Sequence, residues 1–146
     1  MSNFSDEVVD RVWRKGRVLD GWNSDEYRID AAGAMMVKSH WGTDDNYDWE
    51  IDHVLPKDKM KELGIPEDEW DKEENLRPFN AKNNNKKSTD YPTYTRALVF
   101  DEEKRRNVQS EIGKVVNEDV QRGINKCYGL KFKIVLGDHS LDWNDK

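Results

Sequence analysis

A single cysteine, Cys127, stands in a chain of 146 residues that also holds only four prolines. One thiol excludes an internal disulfide framework and any zinc knuckle built on cysteines. No apolar run approaches the length of a membrane span, and the opening "MSNFSDEVVD" is too acidic for a signal peptide. A soluble, intracellular chain without a membrane partner is therefore expected. Internal repeats are absent too, and the Asn-rich "NNNKK" is too short to be a low-complexity tract. Positive charge is in deficit, with 24 Lys and Arg against 30 Asp and Glu, for a net −6. Such a balance weighs against uniform phosphate binding, which draws on Lys and Arg.

What is present is bulky core material. Six Trp, five Tyr and four Phe accompany a hydrophobic content of only 35%. Disordered chains lack these aromatics, so a folded domain with polar loops follows. The length suits one modest core rather than two, giving a single domain over 1–146. The charge is also unevenly laid out. Residues 43–74 carry thirteen acids against four lysines, a local −9, and residues 75–96 carry Arg77, Lys82, Lys86, Lys87 and Arg96 against Asp90 alone, a local +4. An acidic stretch running into a basic one suits a metal site beside a phosphate-binding surface.

Patterning predicts a helix over 6–15, with Val8, Val9, Val12 and Trp13 at helical spacing. "EYRIDAAGAMMVKSHWG" reads as two short strands around a turn at Ala32–Gly33, and "YDWEIDHVL" as a strand alternating large apolar and acidic residues. "PKDKMKEL" and "PEDEWDKEE" read as short helices within a polar insertion, 57–74. "NLRPF" reads as extended, "NAKNNNKKS" as a helix of two to three turns, and "TYTRALVF" as one strand. The stripe Ile112, Val115, Val116, Val120, Ile124, Cys127 predicts an amphipathic C-terminal helix closed by Gly129. "LKFKIVL" is expected to be the last strand, followed by a tail.

Chemistry concentrates in two short stretches. In "EIDHVLP", residues 50–56, Pro56 ends the strand, so its alternation of faces weakens and Asp52 and His53 can reach one cleft. A hard carboxylate beside an imidazole offers a metal ligand and a general base. Taken alone, Asp-His is a common polar strand end. Downstream, "NLRPFNAKNNNKK" supplies Asn75, then Asn80, Asn84 and Lys87 on one helical face. An Asn carbonyl can hold a hard metal, and Lys86 and Lys87 can hold a phosphate. Three successive Asn in a helix also call for an explanation, because Asn is a poor helix former.

Jointly, Glu50-Ile51-Asp52-His53, Asn75-Leu76-Arg77-Pro78, Asn84 and Lys87 resemble the HNH endonuclease family. The resemblance covers residues 47–90 and implies an α+β fold: a single domain around a ββα-metal core, with flanking strands and the C-terminal amphipathic helix. It implies His53 as the general base, Asn75 as the residue fixing the loop that orients it, and Asp52 and Asn84 as ligands of one Mg²⁺ or Mn²⁺. Glu50 resembles a supporting acid behind the ligands. Arg77, Lys82, Lys86 and Lys87 are candidate backbone-phosphate contacts. This is an "HNN" variant without the paired CxxC zinc ligands of many relatives, and the stretch between its motif halves is longer and more acidic than usual. The implied activity is metal-dependent hydrolysis of phosphodiester bonds in DNA, leaving a 5′-phosphate and a 3′-hydroxyl. The implied setting is the cytoplasm of a bacterial cell or phage-infected host. Two other readings stand beside it: a catalytically weak HNH-like DNA-binding module, and an acidic protein whose partner docks on 57–74. His40 and His139 read as surface residues, and Trp13, Trp22, Trp41, Trp49 and Trp70 as packing rather than base-stacking platforms. Cys127 is expected to be buried and inert.

Overall fold

In the computed structural model, which describes residues 4–137, Ser5 accepts from the Val8 amide and so starts helix α1, Asp6–Trp13. Asp6 and Glu7 sit in its first turn, where acids complement the helix dipole. Strands β1 (Tyr27–Ile29) and β2 (Met35–Val37) pair antiparallel around a turn that Gly33 permits with φ 101°. Strand β3 (Trp49–His53) then pairs antiparallel with β4 (Leu76–Asn80), placing His53 opposite Leu76 and Asp52 opposite Arg77. Helix α2 (Lys57–Glu62) lies between them in sequence, and helix α3 (Ala81–Lys87) follows β4 directly. Strands β5 (Thr93–Thr95), β6 (Leu98–Asp101), β7 (Arg106–Gln109) and β8 (Gly113–Val115) come next, and α4 (Glu118–Tyr128) after them. Among the described residues the fold is thus α+β, with four α-helices and two-stranded antiparallel sheets.

The β3–β4 hairpin is covered on both faces. One face sends Trp49, Ile51 and Leu76 into a cluster with Val12, Trp13 and Met36, which seats α1. The other carries Phe79 into the larger cluster with Leu55, Met60, Tyr94 and Ile124. Period-two alternation therefore assigns Glu50 and Asp52 to the α3 side and His53 to the α1 side.

A buried polar network joins the pieces. Asp30 Oδ1 accepts from the Ala32 and Ala34 amides, and its Oδ2 accepts from the Asn80 amide and from Asn83 Nδ2. Asn83 Oδ1 in turn accepts from the amides of Ala97 and Leu98. Asn107 binds both backbone groups of Met35 through its side-chain amide. Buried amides so fully engaged specify register as well as stability. The Asn run is thereby explained residue by residue. Asn83 is the internal stitch, Asn84 faces Glu50, and Asn85 is exposed.

Several expectations are corrected. "TYTRALVF" is two strands, because Thr93–Thr95 pairs with β8 and Leu98–Asp101 pairs with β7, which the sequence did not announce. The C-terminal helix does not begin at Ile112. Residues 113–115 pair with β5, and Asn117 caps the helix by accepting from the Asp119 and Val120 amides. Its end does fall at Gly129, in the left-handed region at φ 66°. Val120 is 37% exposed, so the apolar stripe is narrower than its spacing implied, and Cys127 is only half-buried. "LKFKIVL" is not a strand. Gln121 takes both backbone groups of Val135 and Asn125 binds the Phe132 carbonyl, so the segment is tied along α4. "PEDEWDKEE" gives two single 3₁₀ turns rather than a helix. His139 lies outside the described residues; among the described residues no helix is long and apolar enough to cross a membrane.

Candidate active site

Asn75 is completely buried, and its side chain brackets the residue that follows the β3 exit. Its Oδ1 accepts from the Leu55 amide at 2.7 Å, its Nδ2 donates to the Leu55 carbonyl at 3.0 Å, and its own carbonyl accepts from Val54. The loop-fixing geometry expected of Asn75 is present, two residues from His53.

His53 is largely covered, with 11% of its side chain exposed, and its Nε2 lies 2.7 Å from Asp71 Oδ1. Asp71 comes from the acidic insertion, where nothing in the sequence distinguishes it from seven other acids. The insertion is also anchored. Met60 is fully buried, Ile65 and Trp70 pack on the main cluster, and Tyr128 Oη donates to the Glu69 carbonyl. It is not a segment looped out of the fold.

Glu50 is exposed at the middle of β3, and Asn84 Nδ2 donates to its Oε1 at 2.7 Å. Glu50 and His53 line one cleft of about 370 Å³, together with Trp41, Trp49 and Lys57. The supporting acid of the sequence reading is thus the exposed carboxylate of β3.

Asp52 occupies a different position. It is 4% exposed, with Oδ2 accepting from Arg77 Nε at 2.9 Å and Oδ1 from Lys87 Nζ at 3.4 Å. Lys87 is 0% exposed and also donates to the His53 carbonyl. Burial holds the Lys87 ammonium below its ordinary pKa, Asp52 pulls it back up, and Arg77 adds to the lowering. The Arg77 guanidinium lies over Phe79, 4.1 Å from its centroid, and Nη2 has no hydrogen-bond partner among the described residues. Arg77 and Lys87 therefore face inward as counter-ions, and burial does not suit the phosphate contacts expected of them. Lys82 and Lys86 remain at the surface, paired with Asp44 and Glu111 respectively. Asn80 caps α3 and is buried, so it does not share a working face with Asn84.

The donor chemistry decides how a hard divalent ion would fit. Glu50 and Asn84 stand in contact at an accessible place through Asn84 Nδ2, so the carboxylate is offered as placed and the amide oxygen once the Asn84 side chain turns over. Mg²⁺ keeps several waters and needs only one or two protein carboxylates, so this pair fits it. Asp52 does not fit as placed, because both of its oxygens face cations. Among the described residues no three His, Cys, Asp or Glu side chains are grouped to hold a metal. His40, expected at the surface, is paired there with Asp45 at 2.8 Å.

Trp41 was read as packing from sequence, yet it is 40% exposed and lines the cleft. The only sequence signal was its place beside Gly42 in a polar loop. Comparison of this chain with protein-family models, with curated proteins and with solved structures finds no match in any of the three.

Proposed function

We propose that this protein is a metal-dependent endonuclease that hydrolyses phosphodiester bonds in DNA. One observation carries the reading. A histidine held by a carboxylate shares a cleft with Glu50, whose carboxylate accepts from Asn84, on a strand–strand–helix unit whose turning residue is braced by a buried Asn. With its proton on Nε2, His53 donates to Asp71 and carries its lone pair on Nδ1. That nitrogen takes a proton from the attacking water as the water oxygen bonds to phosphorus, and the 3′ oxygen leaves with the bonding pair and takes a proton from solvent. Asp71 orients the ring and stabilises the imidazolium that results. Asn75 keeps His53 at the strand exit through Leu55. Glu50 and Asn84 would hold Mg²⁺ or Mn²⁺, whose chemistry is relief of charge on the phosphate and the leaving oxygen. Lys82 and Lys86 serve as positioning contacts to phosphates without reading sequence.

A second reading, a DNA-binding module of HNH type with weak or no catalysis, is favoured by the internal neutralisation of Asp52. Supercoiled-plasmid cleavage separates the two. Nicking with Mg²⁺ or Mn²⁺, abolished by chelator and by His53→Ala, is expected of the enzyme. Cleavage that persists in excess chelator removes the mechanism, and binding without cleavage leaves the second reading.

A further inference from the structure

We propose that Trp41 is a base-stacking platform beside the candidate site, so that the strand it serves presents an unpaired nucleotide there. The inference rests on the nuclease reading and narrows its substrate to single-stranded or locally unpaired nucleic acid. Trp41 closes the 3₁₀ turn Lys38–His40 and is followed by Gly42, at φ 80°. The loop is not loose. Asp48, itself 6% exposed, accepts from the Gly42 and Asp44 amides. Trp49, 1% exposed, donates its indole N–H to the Lys38 carbonyl and meets the Trp41 ring at 4.5 Å, edge to face. An indole braced by a second indole, but 40% exposed, has little conformational entropy left to lose on binding.

Its place gives the exposure a use. Trp41 lines the cleft of about 370 Å³ that holds Glu50 and His53, and also an adjoining cleft of about 260 Å³ that holds Lys38. Lys57 lines one recess and Lys38, which a phosphate would share with Asp10 at 2.7 Å, lines the other, so the ring stands between two cations as aromatic stacking along a strand requires. Clefts of this size lie at or below the lower end of small-ligand sites, roughly 300–1,000 Å³. They are large enough to take one nucleotide. Within a duplex both faces of a base are covered by its neighbours, so stacking on Trp41 requires unstacking first. That cost is least where the base is single-stranded, mismatched or damaged.

The test is fluorescence anisotropy of a labelled oligothymidylate and of a fully paired duplex, both in chelator, so that no cleavage is needed. The parent is expected to bind the single strand more tightly than the duplex. Trp41→Ala should weaken single-strand binding roughly 10- to 100-fold and leave duplex binding nearly unchanged, while Trp41→Phe restores most of the loss. Unchanged single-strand binding by Trp41→Ala overturns this inference alone, even if the plasmid is still nicked. Equal loss on both substrates also overturns it, since that is a structural defect. Failure of the parent to bind or cut any nucleic acid removes the nuclease reading itself.

Discussion

Asp52→Asn separates the two roles open to this residue, because they predict stability changes of opposite sign. Its carboxylate lies between Arg77, at 2.9 Å, and Lys87, at 3.4 Å, inside the fold. An isosteric amide keeps the shape and removes the only negative charge between two buried cations. Removing one partner of a buried ion pair costs about 3–5 kcal/mol, because the other charge is stranded. Against a typical total of about 5–15 kcal/mol, this is a large loss. With a urea slope of about 2 kcal/mol/M, the midpoint should fall by about 2 M. Lys87→Met is the matched control. It leaves Arg77 and Asp52 as a one-to-one pair and fills a fully buried position with an unbranched apolar chain. A change within about 1 kcal/mol of the parent, or a gain, is expected. An acid kept open for an ion behaves otherwise, since its removal would leave metal-free stability unchanged or raise it. Urea unfolding in chelator, followed by tryptophan fluorescence, reads the difference, with Mn²⁺ calorimetry beside it. Unaltered stability of Asp52→Asn with a lost Mn²⁺ site would refute the internal-counter-ion assignment, and Glu50→Gln would then be the variant that keeps its metal.

Asn75→Ala strands both backbone groups of Leu55, at about 1–3 kcal/mol each, and Asn75→Asp, which sets a buried carboxylate oxygen against the Leu55 carbonyl, should lose at least as much; urea unfolding checks the order. Asp71→Asn should slow single-turnover cleavage by less than His53→Ala, for which the loss of a general base is roughly 10²- to 10⁴-fold. Reversing Lys82 and Lys86 to Glu should weaken nucleic-acid binding for all sequences and flatten its salt dependence, whereas Lys87→Met should leave the salt slope alone; titrations at several salt concentrations measure this. Burial pushes the Tyr91 and Tyr128 phenols up to about 12. The folded chain then holds protons that the unfolded chain has released, so stability is full below about pH 10 and falls between about 10 and 12. Both rings are partly solvated, which limits the loss to about 1–2 kcal/mol each, and Tyr91→Phe should flatten urea midpoints taken across that range.

Local pattern carried the hairpins and helices that have their own punctuation. Gly33 between apolar pairs, Pro56 after "EIDHVL" and Gly129 are all short-range signals, and a turn, a strand end and a helix end lie at or just before them. The strand–strand–helix order of 49–87 was legible for the same reason. Where pairing partners lie far apart, pattern misled. Residues 112–116 have helical spacing but are claimed by β5, and 130–136 alternate like a strand but find their hydrogen bonds on Gln121 and Asn125. A backbone group goes to whichever partner the fold brings near, and periodicity records only which side is apolar.

The candidate site divides along the same line. Sequence alone determined which chemistry is available: one imidazole next to a carboxylate, an Asn twenty-two positions downstream to brace it, and a helix bearing Asn84 and three lysines. Tertiary structure decided what each group does with its neighbours. It turned Asp52, Arg77 and Lys87 inward to one another, left Glu50 with Asn84 at the surface, and brought Asp71 to His53 from the insertion. The physical reason is desolvation. A charge taken out of water must find its counter-charge nearby, and which acid is buried and which stays wet depends on the helices that close over the two faces of the hairpin.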